Sequence, residues 1–96
     1  MSQPIHKRMT KDEMIDSLIQ QISGMQNYAQ VESVILDISR LATVHGLPVS
    51  QCFSKLEVTI EELSPINLTS TQWSCFRYAL ICLREKASLL RKYRRH

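Results

Sequence analysis

Few residues of this chain have types and spacings that could do chemistry. His45 and Cys52 lie seven positions apart across Gly46 and Pro48, and a histidine within reach of a cysteine is the pairing that generates a thiolate nucleophile. This spacing carries no nucleophile signature. A histidine in the last turn of a helix has a simpler role there, complementing the negative end of the helix dipole. Glu57, Glu61 and Glu62 form an acidic cluster, with Glu57 and Glu61 on one helical face. Paired carboxylates do acid–base work, but glutamates near a helix end are usually solvated charge. Cys75 and Cys82 stand two helical turns apart, too far to share a tetrahedral metal ion unaided. Gly24 and Gly46 are the only glycines, so there is no glycine-rich loop to cradle a phosphate. The expectation is a protein that is not an enzyme and binds no metal or cofactor.

The cations are more informative. From Arg84 onward, Arg84, Lys86, Arg91, Lys92, Arg94, Arg95 and His96 meet a single carboxylate, Glu85, so a formal charge of only +3 hides a basic end on a slightly acidic body. Cations in a final helical turn favour the dipole and aid solubility. Here their number exceeds what capping needs, and it points to nucleic acid or an acidic protein surface as the target. Lys7, Arg8 and Lys11 near the start could add to the same footprint.

A second indication of nucleic-acid binding is the stretch LATVHGLPVSQCFSKL, residues 41–56, which resembles the core of a helix-turn-helix unit. Ala42 is the small residue where two helices would cross, Gly46 makes the turn, and Leu47 and Cys52 point into the angle between them. Ser50, Gln51, Ser54 and Lys55 would then form the candidate reading helix. Two residues depart from that pattern: the polar His45 precedes the glycine, and Lys55 is the only cation on the reading face. A plain helical hairpin with a glycine cap accounts for the same residues.

The elements that must position these groups follow from the apolar periodicity. A first helix opens at Thr10, with Glu13 completing a capping box, and carries Met14, Ile15, Leu18, Ile19 and Ile22 inward until about Gly24. A second runs from about Tyr28 to His45 on Val31, Val34, Ile35, Ile38, Leu41 and Ala42, with Glu32, Asp37 and Arg40 facing away. Gly46 is placed to be its left-handed cap. A third starts with Pro48 in its first turn and uses Val49, Cys52, Phe53 and Leu56. Its end is ambiguous, because LEVTIEEL holds the β-branched Val58, Thr59 and Ile60, which could shorten the helix or make an extended stretch.

Ser64-Pro65 breaks that segment, and Thr69 with Gln72 caps a fourth helix that reaches Tyr93 or beyond, about 24 residues or 36 Å. Its main seam is Trp73, Phe76, Leu80, Leu83, Ala87 and Leu90, and a second stripe holds Cys75, Ala79, Cys82, Leu89 and Tyr93. In its first three turns it is apolar on most sides, so neighbours should surround it there. Farther on, Ala87, Leu89, Leu90 and Tyr93 offer apolar anchors between charges, a candidate oligomer interface.

The fold class is therefore all-α, a small bundle of about four helices with a long C-terminal helix. Residues 1–9 read as a flexible basic arm and 10–96 as one helical domain. Three cysteines, an odd number at apolar-periodic positions, read as reduced core thiols. No apolar signal segment follows the basic start, and no apolar run is long enough to span a bilayer, so a cytoplasmic protein without membrane contact is expected. Met9-Thr10-Lys11, the VESVI stretch from Val31, and the LTS segment with Phe76 and Ala79 loosely resemble the bacterial Hha modulators, small helical partners of a nucleoid protein. Alignment with them needs a long insertion from about Arg40 to Ile66, and neither fold nor site is drawn from that likeness.

The function expected is that of a small regulatory or adaptor protein binding a protein component of a nucleic-acid or regulatory complex, as a homodimer. Acidic Glu57, Glu61 and Glu62, with Asp12, Glu13 and Asp16 elsewhere, would give one copy an acidic side to meet the basic end of another. The alternative is direct DNA or RNA binding through the basic end and the segment from Pro48. The distribution of cations, scarce on the reading face, favours the adaptor.

Overall fold

Local rules set the first helix. In the computed structural model, which describes residues 8–93 but no side chains at 87 or 89–93, α1 spans Lys11–Ser23. The Glu13 N–H donates to Thr10 Oγ1 at 3.1 Å and the Thr10 N–H to Glu13 Oε1 at 2.9 Å, the reciprocal cap expected from the sequence. Met14, Ile15, Leu18 and Ile22 are buried along one face. Helix α2, Tyr28–Val44, is capped by Asn27, whose side chain accepts from the Gln30 N–H at 3.0 Å.

The end of α2 is a Schellman motif. Gly46 has φ +69°, its N–H reaches the Thr43 carbonyl at 3.1 Å, and the Leu47 N–H reaches that of Ala42 at 2.8 Å. Helix α3, Val49–Glu61, begins just after Pro48, which serves as its N-cap instead of its first helical residue. The LEVTIEEL ambiguity resolves as helix through Glu61. Leu56 and Ile60 continue the spacing of Cys52 and Phe53 into the core, and this burial outweighs the weak helix propensity of Val58 and Thr59.

After a 3-10 turn at Pro65–Asn67, α4 runs Ser70–Tyr93, the longest element. Its start is fixed twice. Thr69 and Gln72 form a second capping box, with Gln72 N–H to Thr69 Oγ1 at 3.1 Å and Thr69 N–H to Gln72 Oε1 at 3.0 Å. Gln72 Nε2 also donates to the Ser23 carbonyl at 3.1 Å, tying the start of α4 to the end of α1.

Helix α4 touches all three others, and α3 also packs on α1 and α2. The Tyr28 and Tyr78 rings stack with centroids 4.5 Å apart, and farther along Glu32, Ile35 and Leu36 meet Cys82, Glu85 and Lys86. Helices α2 and α4 therefore run in the same direction. The core is wholly apolar among the described residues, without a buried charged or polar side chain.

The buried side of α4 differs from the expected seam. Cys75, Phe76, Ala79, Cys82 and Leu83 are buried, while Trp73 and Leu80 are only half-covered. Nor is α4 enclosed on most sides in its first turns, for Arg77 and Ile81 are exposed. The molecule measures 47 × 42 × 23 Å, about two helix diameters thick. In so flat a body the other three helices cover one face of α4 and leave the opposite face bare.

Candidate interaction surfaces

Two surfaces gather residues of interest, and the first lies between α2 and α4. A groove of about 200 Å³ is lined by Glu32, Ile35, Leu36, Cys82, Glu85 and Lys86. Leu36 in its lining is 56% exposed, and Ile81, one helical turn before Glu85 on α4, is 52% exposed; the Tyr28 and Tyr78 rings stack nearer the start of both helices. Single exposed apolar residues are ordinary on a protein surface.

One side chain of nucleophilic type, Cys82, lines this groove. Burial pushes the Cys82 thiol above its usual range, with Glu32 and Glu85 adding to the effect; the Tyr78 hydrogen bond and Lys86 oppose it. The Tyr78 hydroxyl is raised first by that hydrogen bond to Cys82. A thiol held protonated is a poor nucleophile.

The second surface is the outer face of α3 with the start of α1. Ser50, Gln51, Ser54 and Lys55, the candidate reading residues, line one shallow hollow together with Lys11 and Val58. Lys11 Nζ donates to Gln51 Oε1 at 3.4 Å. The Arg8 guanidinium lies over the turn before α3, close enough that a Cβ on Gly46 would stand 2.9 Å from Arg8 Nη1. Residues 8 and 9, read from sequence as part of the arm, thus lie against the bundle, and the Met9 N–H donates to His45 Nδ1 at 3.1 Å. Ala42 and Cys52 are fully buried and Leu47 partly, as the crossing of α2 and α3 requires.

No hydrogen bond joins His45 to Cys52 among the described residues. His45 uses Nδ1 to accept from Met9, and Cys52 sits in the core with its thiol pushed up by burial, against a smaller opposing pull from Lys11. Among the described residues no three His, Cys, Asp or Glu side chains are placed to hold a metal ion. No described helix is long and apolar enough to cross a membrane.

The basic set divides. Arg84 bridges α4 to α3, with Nε 3.1 Å from Glu57 Oε2 and a terminal nitrogen 2.7 Å from Glu61 Oε2. The acidic cluster expected to meet another copy is therefore partly engaged within this one. Lys86 borders the α2–α4 groove instead. Arg91 and Lys92 belong to α4, but their side chains, like those of Ala87, Leu89, Leu90 and Tyr93, lie outside the described residues, as do Arg94 and Arg95 altogether.

Sequence reading passed over Leu36, Ile81 and the pair Glu32 and Glu85 as candidate surface residues. The signal was available: Leu36 is absent from the inward stripe of α2 and Ile81 from both stripes of α4. Fold and surfaces together define a small all-α bundle with a grooved, charged exterior. Compared with known proteins, the chain matches no family model, no curated protein and no solved structure.

Proposed function

We propose that this protein is a small non-enzymatic adaptor that acts by contact with another protein through the α2–α4 groove, as a component of a nucleic-acid or regulatory complex. The observation that carries the reading is the exposed Leu36 in the lining of a groove bordered by charge, with Ile81, also exposed, one helical turn before Glu85 on α4. Apolar anchors within a polar rim are the composition of a protein contact. A photoreactive side chain at position 36, introduced in the native host cell, should capture protein, and one at the exposed Asp16 of α1 should not. Equal capture at both positions, or none at 36, would overturn the reading.

Direct nucleic-acid binding is the second reading, favoured by the meeting of Lys11 with Lys55, Ser50, Gln51 and Ser54 in one hollow. Lysines there would contact phosphates and the polar residues the base edges. Anisotropy of a labelled duplex at low salt tests it: Lys11→Ala with Lys55→Ala should weaken binding and flatten its salt dependence. Absence of affinity in the wild type at low salt would end this reading.

A further inference from the structure

We infer that the α2–α4 groove seats a second copy of this chain, and that the part it receives is the cationic end of that copy's α4. The inference rests on the protein-contact reading above and names the partner. Two carboxylates border the groove, Glu32 and Glu85. Neither enters an ion pair among the described residues, whereas Glu57 and Glu61 share Arg84 and Asp37 is held by Arg40.

The helical neighbours of these two carboxylates explain why they stand alone. Three and four positions from Glu32 are Tyr28, Ala29, Ile35 and Leu36; from Glu85 they are Ile81, Cys82, Ser88 and Leu89. No cation is within helical pairing distance. Among the described residues Lys86 is the one cation lining the groove, and against Glu32 and Glu85 it leaves their border net negative. An acidic border repels phosphate, so nucleic acid and anionic lipid are poor occupants. At about 200 Å³ the groove is also smaller than the usual small-molecule pocket of roughly 300–1,000 Å³. It suits the side chains of a helix laid across it.

The complementary chemistry is written in the same chain. Residues 89–95, LLRKYRR, interleave apolar residues with Arg91, Lys92, Arg94 and Arg95. Glu85 and this stretch belong to one sequence run a single helical turn apart. Two copies whose α4 helices pair antiparallel would each offer the other's groove a cationic end. Such a contact is self-complementary and closes at two copies. Opposite charges across its rim set the register.

Charge reversal on the full-length chain tests this. Sedimentation at rising concentration should show the wild type dimerising, less so at high salt. Glu32→Lys with Glu85→Lys, and separately Arg91→Glu with Lys92→Glu, should each weaken self-association about tenfold or more. Mixing the two variants should restore a dimer, because each then carries the charges the other lacks. Circular dichroism on each variant confirms that the helices are kept. A wild type that stays monomeric at high micromolar concentration and low salt, or variants that associate like the wild type, or a mixture that fails to pair, would overturn the inference. Should the wild type be monomeric while position 36 captures a different protein, the second-copy inference falls and the adaptor reading stands. With neither self-association nor capture, both fall.

Discussion

Gly46 needs its missing Cβ for conformation more than for space. Its φ of +69° is costly for any L side chain, while the atom a Cβ would meet is the far end of a flexible arginine. Gly46→Ala should therefore lower stability by about 1 to 2 kcal/mol in urea denaturation. Adding Arg8→Ala should recover little of that loss; a full recovery would show that crowding and not φ was the cause. The thiols at 52 and 82 make a second residue-scale prediction. Both are raised in the folded chain, chiefly by burial. Below the ordinary thiol range their contribution to stability is complete. As pH rises past that range, near 8.5, the unfolded chain gives up protons that the folded one still holds, and stability falls until the raised values are passed. The urea midpoint should decline between neutrality and about pH 10, and Cys52→Ala with Cys82→Ala should flatten the decline even if it lowers the neutral value. Parallel slopes in the two proteins would contradict the assignment.

At the scale of the element, the end of α3 shows where sequence reading stops. The starts of α1 and α4 and the end of α2 were legible because each depends on neighbours in sequence: Thr10 with Glu13, Thr69 with Gln72, and Gly46 after the last turn. The helix across Val58, Thr59 and Ile60 was not, because local propensity opposes it and only burial of Ile60 beneath the other helices decides. The two residues should then respond oppositely to the same change. Ile60→Ala removes a core side chain and should cost about 2 to 5 kcal/mol. Val58→Ala, at an exposed helical position, should be neutral or stabilising by a few tenths of a kcal/mol. Equal losses by urea denaturation would mean that both residues are packed. The buried side of α4 was misplaced for a related reason. Both stripes have helical periodicity, and only the flat arrangement of the other three helices selects Cys75, Ala79 and Cys82 over Trp73 and Leu80.

At the scale of the whole molecule, the basic end could be noticed in the sequence, since a run of cations needs no fold to be seen. The groove could not. Leu36 comes to line a groove with Glu85 only because α2 and α4, far apart in sequence, pack side by side in the same direction. Whether an apolar residue outside a stripe is idle or part of a surface depends on that long-range pairing. The same point separates stability of the fold from stability of an assembly. Leu36 and Ile81 are exposed in the single chain, so Leu36→Asp with Ile81→Asp should change its unfolding free energy little in dilute solution, within about 0.5 kcal/mol per site. If these residues are covered by a second copy, the wild type melts at a temperature that rises with protein concentration, because association draws on the folded state alone. The double variant should melt at one temperature across the same range. Thermal scans at several concentrations read both effects together: a dilute melting point shared by the two proteins, and a slope against concentration present only in the wild type. A variant that melts much lower even when dilute would place Leu36 and Ile81 in the core, and a wild type whose melting point does not move with concentration would leave the groove without a second copy.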